Sequence, residues 1–280
     1  RRDRVEWVAG WWHDFVSPKD GSFLAWTPDP PGEETLSSPS DPKVRLTPKI
    51  MGGWVFGFRS RHTEKMVEAA HLYRVTGDRK YSDWVISQLD FYTTNYQKWP
   101  LQTVKNPSRL MHQSLDDANV LVRFIRAARL IEEAATPDQR SRWFRDLFRP
   151  EAELLDQSMQ RVHNIACWQR AAMAMAALYG KDEKLWQRAT DGPYGIRRQI
   201  RDGVTSDYLW FEQSLGYNSY VVSALSPLFE YAALEGRMDD LRQEMASIEN
   251  LMLAPVYMRF PGGQLPNPAD ATGGLHRISE

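Results

Sequence analysis

Seven of the 17 prolines fall between Pro18 and Pro48, and from about His62 onward apolar residues recur at helical spacing almost without a break. Proline removes a backbone donor and favours extended conformers, so residues 17–48 are expected as a long ordered loop or lid. Val5 to Phe15 ahead of it has helical spacing and predicts an opening helix. Further helices are expected at Glu64–Val75, Tyr81–Tyr96, Leu115–Ala134, Pro137–Phe148, Glu151–Val162, Ile165–Tyr179, Glu183–Ala189, Ile196–Val204, Tyr217–Leu234 and Met238–Leu253. Their punctuation is physical. Gly77 suits a left-handed C-terminal position, and Thr136-Pro137 pairs an N-cap with a proline in the first turn. No strand–helix alternation, G-x-G-x-x-G or G-x-x-x-x-G-K-[ST] is present, which leaves dinucleotide and phosphate-loop folds without support. The expectation is one all-α domain over residues 1–280, built from antiparallel helical hairpins.

A chain of 280 residues buries about three quarters of its unfolded surface, so this one has no need of disulfide staples. Cys167, the lone cysteine, rules out an intrachain disulfide and a cysteine metal cluster. The six histidines form no close ligand pair such as H-E-x-x-H, so neither a metal nor a cofactor is expected. With 35 basic and 36 acidic side chains, no global field draws in nucleic acid or an anionic membrane, and no apolar run is long enough to span one. Oligomeric state is not readable. Arg1-Arg2-Asp3-Arg4 is neither an initiator nor a signal pattern and reads as the start of a processed or trimmed chain. The 33 aromatics (11 each of Trp, Tyr and Phe) serve a helical core, and some of the Trp and Tyr are available to line a groove for sugar rings.

Two segments place polar groups where helices begin. The first is Arg161-Val162-His163-Asn164-Ile165-Ala166-Cys167-Trp168-Gln169-Arg170, leading into Ala171-Ala172-Met173-Ala174-Met175-Ala176-Ala177. Asn164 reads as an N-cap or as a functional amide, and His163 as a junction histidine or a proton-transfer group. The second runs from Asp202-Gly203-Val204 to Trp210-Phe211-Glu212-Gln213-Ser214-Leu215-Gly216-Tyr217-Asn218-Ser219-Tyr220. Gly216 permits a sharp turn that either presents the Tyr217 phenol or tucks an aromatic under a helix.

Together these segments resemble the heparinase II/III-type polysaccharide lyases, their alginate-lyase relatives and, more distantly, dermatan sulfate epimerase. The motifs are His-Asn-Ile-x-x-Trp opening an Ala-rich helix and, after Asp-Gly, Glu-x-Ser-x-Gly-Tyr-x-x-Tyr. Weaker matches are Thr76-Gly77-Asp78 with Tyr81, Gln113-Ser114-Leu115, and Phe260-Pro261-Gly262-Gly263-Gln264-Leu265-Pro266 with Asp270. The resemblance implies an incomplete (α/α) toroid, here without the β-sandwich domain usual in the family. It further implies an acidic polysaccharide or oligosaccharide substrate and a periplasmic or secreted location. Val162 stands where several alginate-lyase relatives carry Asn, leaving Asn164 as the available amide.

β-Elimination on a uronate needs three things: neutralisation of the carboxylate, a base for the proton beside it, and an acid for the departing oxygen. The resemblance implies that Asn164, with Gln113, donates to the carboxylate, that Tyr217 is the acid, and that His163 or Tyr217 is the base. Arg59, Arg61 and Arg109, beside Trp54 and His112, are expected to supply charge in groove loops. Trp54 and Trp210 are expected to stack on sugar, and Glu212 to support the site through hydrogen bonds. Three other functions remain open at this point: a toroid glycoside hydrolase using a carboxylate such as Asp116 or Asp207, a uronyl epimerase, and a non-catalytic glycan-binding domain.

Overall fold

The computed structural model describes residues 2–33, 36–104 and 106–266, and these cluster into two compact units, Arg1–Leu154 and Leu155–Glu280. The first contains a short antiparallel hairpin, β1 (Leu36–Ser38) and β2 (Asp41–Val44), followed by α1 (Pro48–Thr76), α2 (Arg79–Asn95), α3 (Ser114–Leu130) and α4 (Pro137–Trp143). A π-helical turn, Phe144–Phe148, joins α4 to α5 (Arg149–Asp156). The second holds α6 (Asn164–Gly180), α7 (Glu183–Asp191), α8 (Ile196–Gly203), α9 (Leu215–Leu234) and α10 (Arg242–Tyr257). The molecule is 63% helix and 5% strand, in accord with the all-α expectation.

The helix ends follow their local chemistry. Thr47 accepts the Ile50 N–H at 3.2 Å and Pro48 opens α1, while Gly77 closes it at φ 70°. Thr136 and Gln139 complete a reciprocal capping box at α4. In the first unit, α1 packs on α2 and α3. In the second, α6 packs on α7 and α9, and its run Ala171–Ala177 is buried on every side.

Two expectations fail for one reason. Val5 to Phe15 forms only a 3₁₀ turn, Trp12–Asp14, while the helix after the proline-rich stretch begins at Pro48 rather than near Glu64. The opening segment instead lies along α1. Gly10 N–H donates to Gly52 O at 2.8 Å, and Trp7 packs edge-on against Trp54 and Phe58. Buried on two sides, the first half of α1 loses the one-sided apolar stripe by which a helix is read.

Candidate active site

The second unit gathers the residues of both singled-out segments. Asn164 is not the N-cap of α6. His163 is, its Nδ1 accepting the Ile165 N–H at 3.1 Å. That frees the Asn164 amide, whose Nδ2 donates to Glu212 Oε2 at 2.8 Å and whose backbone N–H reaches the same oxygen at 3.3 Å. Trp210 Nε1 donates to Glu212 Oε2 as well, at 2.5 Å. Glu212 Oε1 lies 3.8 Å from His163 Nε2, beyond hydrogen-bond reach. Because Nδ1 accepts, the neutral imidazole carries its proton on Nε2. Burial lowers the His163 pKa; Glu212 opposes that shift and Arg161 adds to it. The ring is therefore neutral at pH 7.

The loop bearing Glu212 is wound tightly. Tyr208 and Gln213 sit in the left-handed region, at φ 56° and 64°, strain of the kind that persists where surrounding contacts over-determine the backbone. Thr205 N–H bonds to Leu209 O and Phe211 N–H to Gly203 O, at 2.8 and 2.9 Å. The motif's Asp-Gly has a steric reason: a Cβ on Gly203 would stand 2.4 Å from the Trp210 ring.

Two buried amides that carry no local sequence signal pin this geometry. Gln199 on α8 accepts from His163 N at 3.0 Å and donates to Arg161 O and Tyr194 O. Asn218 on α9 accepts from Trp210 N at 2.8 Å and donates to Tyr208 O and Leu251 O. Contacts thus link Asn164, Glu212, Trp210 and Asn218 in series, and Tyr217, the residue before Asn218, is half-buried in the first turn of α9. Tyr217 faces Tyr220 at 6.5 Å, and Tyr220 faces Trp168 of α6 at 5.2 Å. Cys167 is buried and its thiol pKa is raised by burial, in keeping with a packing residue.

Several expected ligand contacts are overturned by burial. Trp54 and Trp210 are both 0% exposed and offer no ring face to a sugar. Trp54 is stacked on Trp26 and Phe58 and donates to Thr27 O. Arg59, 1% exposed, is consumed by Asp3, Trp7 O and Leu110 O. Arg109 is half-buried, donates to Trp99 O at 2.7 Å and lies over the Tyr96 ring. His112 and Gln113 are half-buried just ahead of α3, and Gln113 bonds Asp116, whose carboxyl burial pushes up to about 6. The Phe260–Pro266 stretch forms a turn through Gly263 at φ 78°, while Asp270 lies outside the described residues. Among the described residues no group of three His, Cys, Asp or Glu is placed to hold a metal, and no helix is long and apolar enough to cross a membrane.

The model of the family described as alginate lyase matches residues 60–253, which include both segments and all of α6 to α9. The chain belongs to the alginate lyase family. Within it, an alginate lyase of Stenotrophomonas maltophilia is 29% identical over 216 residues, covering 73% of this chain and 29% of that protein. An exo-oligoalginate lyase of Saccharophagus degradans is 26% identical over 218 residues, covering 74% and 29%. The chain thus spans about three tenths of the length of these curated relatives. Among solved structures, alginate lyase A1-III of Sphingomonas species A1 matches with a TM-score of 0.53 at 15% identity, over 92% of this chain and 75% of that one. Heparinase III matches at 0.52 and 18%, over 71% and 30%. At such identities the likeness is one of fold, and it is with the helical-toroid lyases.

Proposed function

We propose that the chain carries the catalytic helices of a polysaccharide lyase that cleaves a uronate-containing glycan by β-elimination, with alginate the first polymer to test. The reading rests on one observation: the Asn164 amide is locked by Glu212 at the N-terminus of α6. One Nδ2 hydrogen is spent on Glu212, leaving the other for a substrate carboxylate, which the N-terminal end of a helix also favours. The names of the relatives, alginate lyase and exo-oligoalginate lyase, support the same substrate class.

The hydrogen bonds of His163 support a division of roles. A neutral ring with Nδ1 capping α6 and the proton on Nε2 has no free lone pair to receive the substrate proton, so His163 acts as a donor. Tyr217 then serves both steps. Its phenolate takes the proton beside the carboxylate, the electron pair forms the new C=C bond, and the glycosidic C–O bond breaks. The phenol then returns the proton to the departing oxygen. An ordinary phenol is ionised in only about one molecule per thousand at pH 7, so the substrate-bound site must favour the phenolate.

Incubation with alginate, hyaluronan, chondroitin and heparan is expected to raise ultraviolet absorbance as the conjugated double bond forms. Tyr217→Phe should lower turnover by about 10³-fold. His163→Asn, which keeps a cap and a donor, should lower it by only about tenfold. A loss in His163→Asn as deep as in Tyr217→Phe would move the base to His163, and saturated products would refute elimination.

A further inference from the structure

Arg59 is consumed inside the first unit, but Arg61, two residues further along α1, is not. It is exposed, and no carboxylate lies within ion-pair distance of it among the described residues. Its guanidinium stacks 4.1 Å over the Trp26 ring and 5.6 Å from Trp12, with Nη1 donating to Gly57 O at 3.2 Å. This cradle is built into the helix. Lys49, Gly53, Gly57 and Arg61 recur every four residues and so share one stripe of α1. The two glycines are the gaps into which the opening segment settles. A Cβ on Gly57 would stand 2.7 Å from Trp12, 2.8 Å from Trp26 and 3.0 Å from Arg61, and one on Gly53 would stand 2.9 Å from Phe15. Lys49 at the far end of the stripe is paired with Asp14 at 3.0 Å. Phe23, 51% exposed, stacks on Trp12 at 5.8 Å, and Trp11, the residue before Trp12 and 40% exposed, lies against His13 at 4.7 Å.

Glycine in a helix interior costs about 1 kcal/mol relative to alanine, and packing Trp12 and Trp26 accounts for the gaps themselves. Packing does not account for the cation set over them. A guanidinium held over two rings and tied to the Gly57 carbonyl is restrained in place, and its planar fork of donors matches a carboxylate. The exposed rings alongside offer the apolar faces a pyranose needs. We propose that Arg61, Trp12, Trp26 and Trp11 form a subsite in the first unit for a carboxylated sugar residue. The proposal rests on the lyase reading for the choice of ligand, and on the first unit alone for its geometry.

The test uses a saturated mannuronate hexasaccharide and its carboxyl-reduced, neutral counterpart, titrated calorimetrically into Tyr217→Phe protein so that no turnover intervenes. Arg61→Gln should weaken binding of the acidic hexasaccharide by about tenfold, and Arg61→Lys by less, because a lysine keeps the charge without the fork. Trp11→Ala should weaken binding of both sugars. Arg61→Gln should leave the neutral sugar unaffected, and its melting temperature should stay that of the parent. If Arg61→Gln unfolds early, Arg61→Lys and Trp11→Ala carry the comparison. An unchanged Kd for Arg61→Gln, an equal loss with the neutral sugar, or no binding by the parent would each overturn the subsite. Cleavage is read separately. Unsaturated product with no Arg61 effect removes the subsite and leaves the lyase. Arg61-dependent binding with no unsaturated product from any polymer removes the lyase and leaves the subsite.

Discussion

Glu212 and Glu151 are both glutamates drawn into the protein, and their surroundings give them opposite fates. Glu212 is one-fifth exposed and accepts from the Asn164 amide, the Asn164 backbone and the Trp210 indole. Glu151, in the first unit, is 1% exposed with both oxygens buried and without a well-formed hydrogen bond among the described residues. Burial pushes its carboxyl up to about 7, opposed by the nearby Tyr96, Asp117 and Arg109. Asp117 beside it is raised as well, chiefly by burial and then by the charge of Glu151, although the backbone N–H groups of Arg109 and Met111 hold it at 2.7 and 2.6 Å. An acid met by aimed donors organises the groups around it. An acid whose burial outweighs its neighbours takes up a proton more readily and becomes a polar piece of the core.

The largest effect that tests this contrast is expected from Glu212→Ala. It strands the Asn164 Nδ2 and Trp210 Nε1 donors, each worth about 1–3 kcal/mol when left unpaired, and lets the Asn164 amide turn. Turnover should fall by about a hundredfold or more, with a melting temperature several degrees lower. Glu212→Gln keeps one accepting oxygen and should recover most of the melting temperature and less of the activity. Full activity in Glu212→Ala would mean that the network does not position the amide.

Glu151→Gln probes the other side of the contrast. The carboxyl ionises near 4.3 in the unfolded chain and higher, at about 7, when folded. An acid raised on folding keeps its proton longer in the folded state. Its contribution is therefore complete below about pH 4 and is lost as pH climbs towards 7. Wild-type stability in urea should decline across that window by an amount on the order of 1–3 kcal/mol. Glu151→Gln should match the wild type near pH 4 and exceed it at pH 8. A pH-independent difference between the two proteins would show that Glu151 does not titrate there.

The helical hairpins were legible in the sequence because their punctuation is local. Gly77 and Thr136-Pro137 act within a few residues of themselves, and the structure uses them as read. The site was legible as far as its motif reached. Asn164 and Glu212 meet beside His163, but propensity leaves Asn164 open as cap or functional amide, and a histidine such as His163 is an uncommon N-cap. Burial was not legible. Arg59 is claimed by Asp3 from 56 residues away, and Trp54 by the opening segment and residues 26–27, so neither assignment follows from local pattern. Gln199 and Asn218 are illegible for a similar reason, because the carbonyls that mark a helical amide as buried lie far off in sequence.

The smallest effect separates the structural duty of His163 from its chemical one. As N-cap of α6 its Nδ1 satisfies the Ile165 N–H, and an uncapped helix start costs about 1 kcal/mol. His163→Ala should therefore lose about that much stability at pH 8, whereas His163→Asn, with a side chain that caps well, should lose almost none. The pH dependence has a definite sign. Burial holds the folded His163 pKa below its ordinary value, so the unfolded chain takes up the proton first. The stabilising contribution is present above the unfolded value near 6.5 and falls as pH drops through it. In His163→Asn that part of the acid-side decline should disappear while the rise owed to Glu151 remains, which makes the two acid–base centres separable in one urea series. If His163→Asn is as unstable as His163→Ala at pH 8, the cap is not what holds the start of α6. The Gln199 bond to the His163 backbone would then be the contact to remove next.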